Sequence, residues 1–348
     1  MSTPPRVFVH EFITGGGWPP GDLPGGLVVE GGAMLRAVLA DFRAWGTVHT
    51  VTTLDRRLTN LSLPADDVVH VPLSQRADVF ASQLVRCDAA LIIAPETDGI
   101  LARLSAKVQD AGILLLGSSP EAVTVAGDKW ACYERFQQAS LPTPPTRQAR
   151  FTDVSQAARQ IGYPLVTKPV DGVGCEGVCL ATNEAELTTA LNILRRATHR
   201  EEIILQSFVA GTHASVSLLV AEGQAMPLSL NGQDVATGCP FTYRGGVVPL
   251  PHPSAMRAYA VAKAAVSLLP GLKGYVGVDL VLADGEAWLM EINPRLTTAY
   301  IGLRRVLRIN LAQAIWQACR HNMLPEKAPV NGQVSFSKDN LLAWDATP

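Results

Sequence analysis

Lys168-Pro169-Val170-Asp171-Gly172-Val173-Gly174-Cys175-Glu176-Gly177-Val178-Cys179-Leu180-Ala181 holds a Gly-x-Gly-x-x-Gly pattern at 172–177, and its flanks decide the fold. A dinucleotide fingerprint needs a strand before the glycines and a helix opening directly after them, so that a pyrophosphate meets the helix N-terminus. Here the chain runs on into β-rich Val178-Cys179-Leu180-Ala181, so the glycines join two strands. A strand-loop-strand can lie over triphosphate oxygens, presenting backbone N–H groups where side chains would obstruct the approach. Lys168, just before the loop, would meet a phosphate as a point charge. The competing reading is a mobile surface hairpin with a solvated lysine. A protein kinase is excluded, because no His-Arg-Asp or Asp-Phe-Gly follows and the lysine precedes the loop. A P-loop is excluded as well, since Gly112 to Gly117 runs into Ser118-Ser119 without a lysine.

Upstream, short apolar runs at Val7 to His10, Val48 to Val51, Val68 to Val71, Ala89 to Ala94 and Ile113 to Leu116 alternate with amphipathic stretches. One such stretch is Ala33 to Trp45, with Met34, Val38, Leu39 and Phe42 at helical spacing; another is Gly99 to Ala111. This rhythm predicts an open, parallel, doubly wound α/β domain over about residues 1–120. Pro120 opens one further helix through Trp130, Ala131 and Phe136, and the Pro-rich Leu141 to Thr146 ends it. Strands at Ile161 to Lys168, Gly177 to Ala181 and Ile203 to Gln206, with a helix at Glu184 to Arg196, make a small α+β unit. Apolar strand pairs follow from Ala214, then a helix at Ser254 to Leu269, two strands around Asp284-Gly285, a last helix at Asn310 to His321 and a polar tail.

The bulk properties agree. At about 150 residues per domain, 348 residues make two or three units. The 29 Gly and 24 Pro are spread without a repeat, and apolar residues are 47%, which excludes collagen-like and disordered classes. A net charge of −2 without a block of Lys or Arg argues against nucleic acid as a partner. No run approaches the roughly 18 apolar residues of a membrane span. The polar, Pro-rich Met1 to Arg6 lacks the order of a secretory signal, so the expected location is a bacterial-type cytoplasm. Six scattered cysteines without a Cys-x-x-Cys pair predict neither a disulfide framework nor a zinc site, and Cys175 and Cys179 read as small loop and strand residues.

Val276-Gly277-Val278-Asp279-Leu280 and Leu289-Met290-Glu291-Ile292-Asn293-Pro294-Arg295 put Asp279, Glu291 and Asn293 on neighbouring strands. Glu291 and Asn293 share a face, and a carboxylate inside an apolar strand is costly unless something pairs with it. Such oxygens suit Mg²⁺ shared with substrate phosphates, and Arg295 adds a cation for a transferring phosphoryl group. The competing reading is a hairpin whose acids are neutralised by nearby Lys or Arg. A two-residue loop would pair Ala283 with Glu286, set Asp279 opposite Met290 and split the site. The expectation is therefore a three-residue loop with Gly285 left-handed, or a bulge, either of which gathers the three on one face.

Together these residues resemble the ATP-grasp superfamily over about Gly127 to Arg305. Gly127-Asp128-Lys129 resembles the segment with the first phosphate-contacting lysine. Lys168-Pro169 with the loop, including Gly174 and Gly177, resembles the second lysine and the lid. Ile203 to Gly211 is similar to the interdomain segment that holds adenine through backbone groups at Ser207 and Val209. That segment usually begins with an acid, where this chain has Gln206, whose carbonyl would accept from the adenine amino group. The acid that commonly binds the ribose hydroxyls is replaced by His213. Asp279, Glu291 and Asn293 match the magnesium ligands, and Arg295 matches the arginine beside the transferred phosphate.

Shorter segments, His10 to Gly17, Glu30 to Met34, Ile93 to Gly99 and Tyr243 to Gly246, resemble the tyramine-glutamate ligase branch, associated with methanofuran-type cofactor biosynthesis. The resemblance implies an α/β fold: an N-terminal open parallel domain (1–120), an ATP-grasp small lobe with a Gly-rich lid (121–205) and a large lobe with the metal site and C-terminal tail (206–348). It implies ATP and Mg²⁺ as cofactors, with Mn²⁺ as a substitute, and carboxylate and amine substrates joined through an acyl phosphate, with Arg295 and Lys168 as catalytic groups. Glu96 and Asp98, past the end of a strand, would meet a protonated amine, and Arg244 would hold a substrate carboxylate. A homodimer is compatible with this reading. A ligase for other amino acids and a nucleotide-binding sensor that does not turn over are the alternatives.

Overall fold

The computed structural model describes residues 3–72 and 74–344. The outermost ends of the first and last expected domains, and residues 1 and 2 of the polar N-terminal stretch, lie outside them.

The N-terminal domain contains β1 (Arg6–Glu11), α1 (Gly25–Trp45), β2 (His49–Asp55), β3 (Asp67–Val71), α2 (Arg76–Leu84), β4 (Ala89–Ile93), α3 (Ile100–Asp110) and β5 (Leu114–Leu115). Its strands form a parallel sheet in the order β3-β2-β1-β4-β5, the doubly wound arrangement the alternating runs predict. Phe8, Val51 and Ile92 face α3, while Val7, Val9 and Leu91 face α1, which explains why β1 is apolar on both faces. A tight turn at Ile13–Gly17 leaves the C-terminal end of β1, and Gly16 sits there at φ 88°.

The helix expected from Pro120 is two, α4 (Pro120–Ala126) and α5 (Lys129–Gln138). Asp128 breaks it: its carboxylate accepts from the backbone N–H of Trp130 and Ala131 at 2.9 Å, an N-cap that satisfies the first turn of α5. Next come β6 (Thr146–Arg150), α6 (Val154–Ile161), β7 (Leu165–Pro169), β8 (Cys179–Ala181), α7 (Glu184–Ala197) and β9 (Glu202–Ser207). These strands form an antiparallel sheet, β6-β9-β7-β8, with α6 and α7 on one face around Leu165, Leu194 and Leu205.

The large lobe is built from β10 (Thr212–Ala221), β11 (Gln224–Ala236), β12 (Thr242–Val248), α8 (Ala255–Ser267), β13 (Gly274–Ala283), β14 (Glu286–Asn293), α9 (Ala299–Val306) and α10 (Leu311–His321). Then β15 (Val334–Ser337) and α11 (Leu341–Trp344) follow. Six antiparallel strands run β14-β13-β10-β11-β12-β15. Helices α4, α5 and α8 cover one face of this sheet. Helices α9 and α10 share a core with α1, which fastens the lobe to the N-terminal domain. The expected polar tail is part of this fold, since β15 pairs with β12 and Leu341 is fully buried.

Cys179 and Cys239, 60 residues apart, form a disulfide, contrary to the expectation from cysteine spacing. Sequence spacing does not report it because the pair meets through tertiary structure. The segment after β11 crosses to the small lobe and bonds β8 through Leu180 N–H to Gly238 O (2.8 Å) and Phe241 N–H to Val178 O (2.7 Å). Among the described residues no helix is long and apolar enough to cross a membrane.

Candidate active site

The β13–β14 hairpin turns through two residues, Asp284 (φ 53°) and Gly285 (φ 77°), and Ala283 pairs with Glu286. Two positive φ values suit the mirror-image turn that Asp-Gly favours. The three-residue loop is thus corrected, and the bulge occurs instead. Pairing passes from Leu280 with Leu289 to Asp279 with Glu291, leaving Met290 as the extra residue. The slip of one residue brings Asp279, Glu291 and Asn293 onto the face that lines the cavity between the lobes, while Leu280, Leu289 and Ile292 stay in the core.

Asn293 Nδ2 donates to Asp279 Oδ2 (3.1 Å), and Gln233 Nε2 on β11 donates to Asp279 Oδ1 (3.1 Å). Lys129, at the start of α5, reaches Glu291 Oε2 at 2.9 Å and donates to the carbonyl of Gly172 in the lid at 2.7 Å. Burial alone would raise the Glu291 carboxyl, but Lys129 and Lys168 outweigh it and hold the group ionised. Asp279 goes the other way: burial, then the Glu291 charge, push its carboxyl up. Burial alone would lower the Lys129 ammonium, and Glu291 more than reverses this. Lys168 is drawn down to about 8 by burial, which Glu291 offsets only in part.

Two half-buried carboxylates and an amide facing one another are a donor set in which an added divalent cation relieves the repulsion, and hard oxygens of this number suit Mg²⁺ completed by phosphates. Among the described residues no group of three or more His, Cys, Asp or Glu converges, so any cation here depends on such outside oxygens.

Lys168 Nζ donates to Gln206 Oε1 (2.7 Å), and Gln206 Nε2 donates to Thr146 Oγ1 (2.9 Å). The carbonyl considered for an adenine amino group is therefore engaged by the lysine. Ser207, Phe208 and Val209, at and just past the end of β9, line the cavity together with His213, whose ring is edge-on to Phe241. Burial lowers His213 below the usual imidazole range. Gly174 (φ 65°) and Gly177 (φ 70°) turn the lid back on itself, and a Cβ at Gly177 would come within 2.7 Å of Ala197.

Arg295 lies just past β14, in the cavity. Its guanidinium meets Glu96 through Nη2 to Oε2 (3.0 Å) and a Nε to Oε1 contact of 2.9 Å. Burial would lower this cation, but Glu96 keeps it firmly charged. Glu96 is thus occupied by Arg295. Asp98 is exposed, and its backbone N–H donates to Asp171 Oδ2 (3.0 Å), so this turn braces the base of the lid. Arg244 is exposed in a separate groove between β12 and β15, which Tyr243 also borders. The structure brings Lys129, Lys168, Arg295, Asp279, Glu291 and Asn293 into one cavity and leaves Asp98 and Arg244 out of it.

Sequence reasoning missed Gln233, Tyr243 and Glu30, all of which line the cavity. Tyr243 shares a hydrogen bond of 3.0 Å with Thr298 Oγ1. Two of the three lay in the quoted segments Glu30 to Met34 and Tyr243 to Gly246, so the signal was present but pointed at the wrong neighbour.

A pre-ATP-grasp domain model matches residues 48–123 and an ATP-grasp domain model matches residues 126–299, half of the chain. A tyramine–L-glutamate ligase from Methanocaldococcus fervens is 29% identical over 287 residues, 80% of this chain and 84% of that protein. The enzyme of the same name from Methanocaldococcus jannaschii is 30% identical over 217 residues, 62% of this chain and 58% of that protein. Among solved structures, an ATP-grasp superfamily protein from Archaeoglobus fulgidus has a TM-score of 0.68 at 26% identity, covering 93% of this chain and 90% of that one.

Proposed function

The chain belongs to the ATP-grasp family and is an ATP-dependent carboxylate–amine ligase, and we propose that it joins the γ-carboxylate of glutamate to a tyramine-like amine through an acyl phosphate. The observation that carries the chemistry is the convergence of Lys129, Lys168 and Arg295 on Asp279, Glu291 and Asn293 in one cavity between the lobes. The substrate pair is supported by the relationship of 29% identity that spans 84% of the ligase from Methanocaldococcus fervens.

In this reading the backbone around Ser207 and Val209 holds the base, and the lid lies over the phosphates. Lys129 and Lys168 bind phosphate oxygens, exchanging Glu291 and Gln206 for them in part. Asp279, Glu291 and Asn293 would hold Mg²⁺, which when bound supplies charge neutralisation and a template for those oxygens. A carboxylate oxygen attacks the terminal phosphorus, the bond to ADP breaks, and Arg295 stabilises the charge that develops. The unprotonated amine nitrogen then attacks the acyl carbon, the bond to phosphate oxygen breaks, orthophosphate leaves with that electron pair, and the nitrogen gives up one proton to the departing phosphate or to solvent. Glu96 fixes the Arg295 fork, and the closed lid keeps water from the acyl phosphate.

The test is incubation with ATP, Mg²⁺ or Mn²⁺, and a panel of amino acids with amines, reading ADP, orthophosphate and product mass. Glutamate with tyramine should give ADP and an amide weighing the two substrates less one water. An amide from another pair alone would overturn the substrates and keep the ligase. AMP with pyrophosphate would overturn the acyl phosphate.

A further inference from the structure

The cavity wall carries a carboxylate that the phosphoryl chemistry does not use, and its cation partner reaches it from the neighbouring groove beside β12. Glu30, in the second turn of α1, lines it beside Met34 and Tyr243, with its side chain 14% exposed. Lys338, in the turn between β15 and α11, sets its ammonium 2.5 Å from Oε1 of Glu30. The Lys and Arg side chains that line the cavity have partners of their own: Glu291 and Gly172 for Lys129, Gln206 for Lys168 and Glu96 for Arg295.

We propose that Glu30 recognises a primary ammonium group of a substrate, with Met34 and Tyr243 packing the carbon skeleton that carries it, and that Lys338 is the internal competitor for this subsite. The Lys338 side chain is itself a primary ammonium on a flexible carbon stem, seated on a largely buried carboxylate at a substrate-accessible wall. It demonstrates which chemistry the subsite accepts. A largely buried carboxylate there calls for a cation, and an ammonium meets it by donating a charge-assisted hydrogen bond.

Holding the C-terminal segment in place does not account for the pair. That segment is anchored without it: β15 is paired along β12, Leu341 is fully buried, and Arg36 Nη1 donates to the carbonyl of Leu342 at 3.1 Å. Lys338 remains 28% exposed and has solvent into which it can swing.

The inference rests on the ligase reading for the identity of the substrate but not for the binding chemistry. Two substrates of such a ligase carry the group: the nucleophilic amine, and an amino acid whose side-chain carboxylate is phosphorylated. Calorimetry on the full chain with an ATP analogue and Mg²⁺ separates them, using tyramine against its desamino analogue 4-ethylphenol, and L-glutamate against glutarate.

Glu30→Gln should weaken one ammonium probe about tenfold or more. Affinity for its desamino analogue and for the nucleotide should stay unchanged. Lys338→Met should tighten the same probe several-fold. Response of tyramine assigns the subsite to the nucleophile, and response of glutamate assigns it to the α-ammonium of the carboxylate substrate. Equal weakening of probe and desamino analogue overturns the proposal. So does a Lys338→Met variant that loses stability and leaves both ammonium probes where they were. Failure of tyramine, glutamate and n-butylammonium alike to bind the wild type also overturns it. A Glu30-dependent ammonium site in a protein that forms no amide would sink the proposed substrates and leave this subsite standing.

Discussion

Arg295 Nη2 donates to Glu96 Oε2 at 3.0 Å, joining the end of the metal-side hairpin to a strand end of the N-terminal sheet 199 residues earlier. In the proposed reaction the N-terminal domain thereby orients the cation assigned to the phosphoryl step, and would be part of the reacting site as well as a wall. Glu96→Gln should leave a buried guanidinium poorly paired. We expect a loss of about 3 kcal/mol in stability, read by urea denaturation, and a fall in turnover larger than the change in apparent ATP affinity. A variant as stable and as active as the wild type would show that the pair orients nothing.

Glu291→Gln keeps size and removes the charge that Lys129 and the proposed cation share. ADP release should fall by about a hundredfold or more, and the Mg²⁺ concentration needed for half activity should rise. An unchanged Mg²⁺ requirement would move the cation elsewhere.

The Cys179–Cys239 bridge ties the strand after the lid to the segment following β11. Reduction by a dithiol, or Cys239→Ser, should cost about 2–4 kcal/mol. Amide exchange should quicken at residues 171–181 and 238–241, and an ATP analogue with Mg²⁺ should slow it again in the lid. Uniform exchange rates before and after reduction would deny the bridge any hold on the lid.

Gly31→Ala is a case where two effects oppose. Alanine gains about 1 kcal/mol of helix propensity in α1. The added Cβ, however, would come within 2.5 Å of the buried Glu11 carboxyl carbon, whose oxygens accept from Ile13 N–H, Thr14 N–H and Thr14 Oγ1. Overpacking of this kind costs about 1–3 kcal/mol, so the net change should be destabilising. A higher melting temperature in the variant would reverse that conclusion.

His10 is buried, shares a hydrogen bond of 2.8 Å with Thr53 Oγ1, and burial draws its imidazole down to about 3. An unfolded histidine titrates near pH 6.5. As pH falls from about 6.5 to 3 the unfolded chain therefore takes up a proton that the folded chain refuses. Stability is lost across this window by up to about 1.4 kcal/mol per pH unit from this group. His10→Gln should be less stable at pH 7 and flatter in acid, as urea midpoints at pH 7, 5 and 4 would show. Parallel profiles for the two proteins would assign the acid sensitivity to other groups.

Local chemistry determined much of this protein without any coordinates. Strand runs apolar on both faces specify a parallel sheet covered on both sides, and strand after the glycines at 172–177 rules out a dinucleotide loop. Asp284-Gly285 carries the chemistry of its two-residue turn, although the need to gather the acids on one face points to a longer loop. These are readable because each depends on neighbours within a few residues. The register of paired strands is different, because it is settled by what both strands bury. The turn alone would set Asp279 opposite Met290; only burial of Leu280, Leu289 and Ile292 in one core demands the bulge that gathers Asp279, Glu291 and Asn293. The alternation of side chains separates Tyr243 from Arg244, yet which of them enters the cavity follows from the register of β12 on β11, which shifts between Asp234 and Val235. Contacts such as Cys179 with Cys239, Arg295 with Glu96 and Lys338 with Glu30 are closed by the packing of three sheets and their helices, and no pattern along the chain encodes those distances.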